Sequence, residues 1–137
     1  MCNGKMKKTS PSIDEWLKEA KADPEASQEG MFLVHNGVVR QTPKAKVRQG
    51  IDDGSTIKGM EFNYDAAKVD EVIAETYKIE GIFHVRVWLN EGQLKVGDDI
   101  MYVLIGGDIR PNVVDALEFL VGKIKNECVN ENEYYGF

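Results

Sequence analysis

The stretch from Gly92 to Lys125, GQLKVGDDIMYVLIGGDIRPNVVDALEFLVGKIK, constrains this chain more than any other. Ile100 to Ile105 is an apolar run rich in β-branched and aromatic residues, bounded by Gly97-Asp98-Asp99 and by Gly106-Gly107, which is the pattern of a core strand. Asp108 follows as a candidate N-cap. Pro111 fits the first helical turn, where its missing N–H has no intrahelical partner to lose. Val114, Leu117, Leu120, Val121 and Ile124 then recur at spacings of three and four, so a helix with one apolar face is expected to run to Lys125. A strand therefore feeds a helix through Gly106-Gly107-Asp108-Ile109-Arg110. Free N–H groups at a helix start, backed by the helix dipole, can hold an anion, and Arg110 would add a forked donor set. The plainer reading of the same corner is that the glycines permit a tight turn and Arg110 is solvated.

The chain has 137 residues, 42% of them hydrophobic and 29% charged, which is enough for one domain with a real core. Its formal net charge of −6 argues against general nucleic-acid binding, which needs clustered lysine and arginine. An anionic small ligand would need a local basic pocket. No apolar run approaches a membrane span, and Met1 to Ser10 lacks the apolar centre of a signal peptide, so a cytoplasmic protein with no membrane partner is expected. Cys2 and Cys128 are far apart and neither groups with His35 or His84, which argues against a metal site, a cofactor held by such ligands and a structural disulfide. Cys128 reads as a small hydrophobe.

Met1 to Pro11 is polar and basic, a flexible start. Ser12 and Glu15 form an S-x-x-E capping box for a short helix with Ile13, Trp16, Leu17 and Ala20 along one stripe, ending before Asp23-Pro24. Trp16 is expected to be a packing anchor. Met31 to Val34 reads as a strand, Asn36-Gly37 as a turn or bulge, and Val38-Val39 as renewed extended chain before Arg40. Lys44, Lys46 and Arg48 mark a basic, mobile loop between Gln41 and Gly54. Ile57 to Tyr64 is a strand with Ile57, Met60 and Phe62 buried. Asp65 caps a helix reaching about Glu80, with Ala66, Val69, Val72, Ile73, Thr76 and Tyr77 inward and Gly81 ending it. Phe83 to Leu89 alternates as a half-buried strand, and Gln93 to Val96 leads into the central strand. Asn126 to Phe137 is a polar tail whose Tyr134, Tyr135 and Phe137 either fray or dock on a partner. Neighbouring strands joined by short turns should pair antiparallel, so the class is α+β, an antiparallel sheet with flanking helices.

At Gly37-Val38-Val39-Arg40, at Glu91 to Asp99 (EGQLKVGDD), and at Gly106 to Arg110 followed by a helix ending in Lys125, the sequence resembles the large subunit of molybdopterin synthase, from about Ser12 to Cys128. The resemblance implies an α/β-hammerhead fold and a central homodimer. Each subunit would bind a small ubiquitin-like sulfur carrier ending in Gly-Gly. The carrier's glycine thiocarboxylate would deliver sulfur to a pterin phosphate, cyclic pyranopterin monophosphate, forming the dithiolene of molybdopterin in two transfers. By the same resemblance Arg40 closes the family's G-x-V-R motif, Arg110 lies near the substrate phosphate, and Lys125 is the catalytic lysine that orients the thiocarboxylate and stabilises developing charge. Arg110 and Lys125 are fifteen residues apart on one helix, about 22 Å at 1.5 Å per residue, so serving one site requires Arg110 from a neighbouring subunit.

The chain departs from the family at four places. Ile109 replaces the histidine of a His-Arg pair, Leu89-Asn90 replaces another such pair, Asn132 stands where a second lysine is usual, and His35 replaces an aromatic residue. Glu131 and Glu133 add negative charge near the lysine, which opposes an anionic substrate. Two further readings follow: a divergent, non-catalytic dimeric binding or regulatory module, and a pocket for another phosphorylated metabolite at the glycine corner.

Overall fold

A computed structural model describes residues 6–42, 50 and 56–136. Three helices, α1 (Ile13–Lys21), α2 (Ala66–Tyr77) and α3 (Arg110–Lys123), accompany six strands: β1 (Met31–Val38), β2 (Thr56–Tyr64), β3 (Ile82–Leu89), β4 (Gly92–Lys95), β5 (Asp99–Gly107) and β6 (Val129–Gly136). They form two antiparallel three-stranded sheets, ordered β1-β5-β3 and β4-β2-β6. The α+β class is as expected, with two sheets in place of one. Most of the basic stretch expected between Gln41 and Gly54 lies outside the described residues.

β5 is central, and its apolar run is nearly continuous because both of its faces are covered. One face meets the main core, where Val103, Ile105, Val113, Ala116 and Leu120 are fully buried. Leu104 points to the other face, against Trp16 and Ala20 of α1. Trp16 is thus an anchor. Its helix begins as the capping box requires, with Ser12 Oγ accepting from the Glu15 N–H at 3.3 Å. Asp65 likewise accepts from the Lys68 N–H at the start of α2. The helix stops at Tyr77, short of the expected end near Glu80, with Lys78 as its C-cap, and Gly81, at φ +84°, belongs to the turn that follows.

Several expectations are corrected by packing. The buried face of α3 is Val113, Ala116, Leu120 and Ile124, one position away from Val114, Leu117 and Val121 at each step, which are only half-buried. Both registers have helical spacing, and the sheet selects the one with the smaller residues against β5. On α2, Ala66 and Tyr77 are exposed. The Tyr77 hydroxyl accepts from the Val85 N–H at 2.9 Å and donates to the Val85 carbonyl at 3.3 Å, engaging backbone groups on the outer edge of β3. Of the two readings of Asn36-Gly37, the bulge holds: β1 continues through Asn36 to Val38 with a register shift against β5 at Gly37/Val38. The strand Phe83–Leu89 begins one residue earlier and shifts register between Ile82 and His84, which breaks the simple alternation. β4 does not join the central strand. Gly92 and Gly97, at φ +87° and +91°, swing it out to pair with β2.

Residues near both ends of the described chain are incorporated. The segment read as a flexible start is held over residues 7–10, where Lys7 pairs with Asp98 at 3.0 Å and Ser10 bonds Asp99. The Lys8 ammonium donates to the Tyr64 hydroxyl at 2.9 Å and lies over the Tyr64 and Trp88 rings. Of the segment read as a polar tail, Val129–Gly136 form β6, paired along β2 from Tyr64↔Val129 to Thr56↔Gly136.

Candidate functional site

Residues from β1, β2, β5, the end of α3 and β6 enclose a cavity of about 180 Å³. Arg40 reaches it from the end of β1. Its neighbour Val39 is fixed on both sides: the Val39 N–H donates to the Asp98 carbonyl at 3.0 Å, and the Val39 carbonyl accepts from the Gly97 N–H at 2.8 Å. Arg40 Nε donates to the Thr42 carbonyl at 2.9 Å. The Gly-Val-Val-Arg stretch is therefore a strand exit clamped by the turn before β5.

Lys125 arrives from the opposite side. After Lys123 the helix widens into a π-type turn, Ile124–Cys128, in which Ile124 and Cys128 are buried and Lys125 lines the cavity. Such turns insert an offset into a helix, and here the offset separates the charged residue from the core pair. The Cys128 thiol is pushed up from its ordinary value, chiefly by burial, as suits a packing residue rather than a nucleophile.

His35 and Glu131 complete the polar wall. Burial, and then the nearby Lys125 ammonium, hold the His35 imidazole below its ordinary value of 6.5, so it is neutral at pH 7. Glu131 lies opposite Phe62 and Glu133 opposite Met60 in the β6/β2 register, which turns both carboxylates to the cavity side. Lys125 Nζ is 3.8 Å from Glu131 Oε2. Glu131 and Glu133 alternate with exposed Asn130, Asn132 and Tyr134, a period-two signal present in the sequence but unreadable as a strand while the segment passes for a tail. Met60, Ile100 and Met101 form apolar wall and went unnoticed as site residues, because their spacing marks them only as core.

Arg110 does not reach this cavity. It is exposed at the first turn of α3, with Lys125 beyond the helix's other end. The structure thus unites Arg40 with Lys125 and leaves Arg110 apart within one chain.

The glycine corner is organised by close packing rather than by turning. Gly106 and Gly107 are buried in β5, and neither has positive φ. A Cβ on Gly107 would meet the Gly81 carbonyl oxygen and a Val113 methyl, each at 2.6 Å. Asp108 sits one residue before the N-cap position, which is Ile109. Its carboxylate accepts from the Ile109 N–H at 2.6 Å and from Asn112 Nδ2 at 2.9 Å. The helix start thus carries a negative charge of its own, and an external anion there would meet it.

The profile of the MoaE protein family matches residues 6–127. The chain belongs to that family. MoaE is the catalytic large subunit of molybdopterin synthase, so the chain is a sulfur-transferring enzyme of molybdenum cofactor biosynthesis, as the sequence resemblance implied. Solved structures share the fold. Molybdopterin synthase from Staphylococcus aureus is similar at TM-score 0.70 and 18% identity, covering 93% of this chain and 88% of its own. The molybdopterin biosynthesis MoaE protein from Burkholderia ambifaria is similar at 0.68 and 17%, covering 93% and 83%. A protein–protein complex of subunits 1 and 2 of molybdopterin-converting factor from Helicobacter pylori contains a similar chain at 0.62 and 18%, covering 90% and 79%. No curated protein matches the sequence significantly. No described helix is long and apolar enough to cross a membrane, and no described group of His, Cys, Asp and Glu residues could hold a metal ion.

Proposed function

We propose that the cavity between Arg40 and Lys125 receives the C-terminal glycine thiocarboxylate of a small ubiquitin-like carrier. Sulfur then passes to cyclic pyranopterin monophosphate beside it. The convergence of Arg40 and Lys125 on one hollow, from elements remote in sequence, carries this reading. Lys125 orients the thiocarboxylate and offsets charge that develops during transfer, a task suited to a fixed ammonium in a partly dry site. Arg40 contributes a planar donor fork for the substrate's phosphate or carboxylate-like groups. The complex of the two subunits in the Helicobacter pylori protein supports a small-subunit partner here.

A homodimer completes the site in this reading. α3 has 14 residues, about 21 Å of helix, so Arg110 cannot serve the cavity of its own chain and is supplied by the second copy. Two variants, Arg110→Ala and Lys125→Ala, test the sharing. Each is expected to lose dithiolene formation when mixed with thiocarboxylated carrier and the cyclic precursor. Co-refolded in equal amounts, they should regain about a quarter of wild-type activity, because half the two-fold dimers then carry one intact site. No recovery, or a monomer in sedimentation, removes the shared site. No product from the wild type removes the transfer reading.

A further inference from the structure

An anion receptor built from Arg40 and Lys125 alone would carry two positive charges. This cavity also holds Glu131 and Glu133, and with His35 neutral the formal charges of the described lining residues sum to zero. The two carboxylates differ. Glu133 sits toward the end of β6 and accepts a hydrogen bond from the Tyr135 hydroxyl at 2.9 Å. Glu131 faces Lys125 with its side chain 7% exposed, against 34% for the lysine. At 3.8 Å the pair is an electrostatic contact outside hydrogen-bond range. An ammonium has three donors, so an incoming oxygen or sulfur can take a place on Lys125 that Glu131 holds only loosely.

We propose that Glu131 is a specificity-determining residue of this cavity, an internal counter-ion that competes with the terminal carboxylate or thiocarboxylate of an entering peptide tail for Lys125. The proposal rests on the carrier-tail reading above. A tail must displace Glu131 from the ammonium to bind, which sets a threshold against weakly held anions. A tail with additional anchoring along its length overcomes that threshold, whereas a free small anion does not.

The probe is a synthetic peptide ending in Gly-Gly, as the free acid and as the amide, titrated calorimetrically into wild type, Glu131→Gln, Lys125→Ala and the double variant. Glu131→Gln should bind the free acid about tenfold tighter than wild type, the scale for removing one like charge a few ångströms away in partly wet surroundings. The amide should bind both alike, and the gain should vanish when Lys125 is also replaced. Wild-type binding with no gain in Glu131→Gln overturns the competition and leaves the carrier-tail reading standing. A gain that survives in the double variant overturns action through Lys125. Absence of free-acid binding in both overturns the proposal together with the reading beneath it. If Glu131→Gln does not fold, carbon NMR of the unaltered protein decides. The Lys125 ε-carbon and Glu131 δ-carbon resonances should both move with the free acid and not with the amide, and a stationary Glu131 signal overturns the proposal.

Discussion

Adding one methyl group at Gly107 and at Gly122 should change stability in opposite directions. Gly107 lies in extended backbone that alanine can adopt, so conformation is not the obstacle. The obstacle is space: the new carbon would lie 2.6 Å from the Gly81 carbonyl oxygen, which is backbone, and 2.6 Å from a methyl of fully buried Val113. Neither neighbour is the free end of a flexible side chain, so β5, the turn at Gly81 or the first turn of α3 must move. Overpacking of that kind costs about 1–3 kcal/mol. Gly122 is inside α3 with nothing within 4 Å of an added carbon. There alanine removes the entropic penalty of a helical glycine and gains about 0.5–1 kcal/mol. The two variants should therefore differ by about 1.5–4 kcal/mol, several times the error of a urea melt compared at constant m-value. If Gly107→Ala is neutral, or both variants shift the midpoint the same way, the close-packed corner is not what positions α3.

Stability should fall as the solution is acidified through the ordinary histidine range. His35 and His84 are both held below 6.5, chiefly by burial, so the unfolded chain binds their protons first; stability is complete above about pH 6.5 and declines below it. Histidine NMR titrations with midpoints at or above 6.5 would contradict this. Tyr77→Phe removes the hydroxyl that accepts from the Val85 N–H and should cost about 1 kcal/mol by chemical denaturation; an unchanged midpoint would show that water replaces the hydroxyl without loss. In a Cys2→Ser background, Cys128 should react with a thiol reagent only at the rate of unfolding, since it is 3% exposed and its thiolate is disfavoured. Rapid reaction of the folded protein would place the thiol at the surface.

Features set by local chemistry were legible along the chain. Ser12 and Asp65 cap helices, Gly81 takes positive φ in the turn beyond one, and Met60 and Phe62 are buried on one strand face, because caps, turns and strand alternation act over a few residues. Motif order also sufficed to indicate the family, and with it Arg40, Lys125 and Arg110 as residues to inspect. The tertiary structure decided what depends on a partner remote in the chain. Which of two helical registers α3 buries was set by the sheet beneath it. Gly106 and Gly107 are small because β1, Gly81 and Val113 crowd them, a requirement invisible within the glycine motif. The segment after Cys128 has too few apolar residues to announce a strand, and only pairing with β2 makes it one. That pairing brings Glu131 to Lys125 and closes the cavity begun by Arg40, since strand partners, unlike helix partners, can lie any distance apart along the chain.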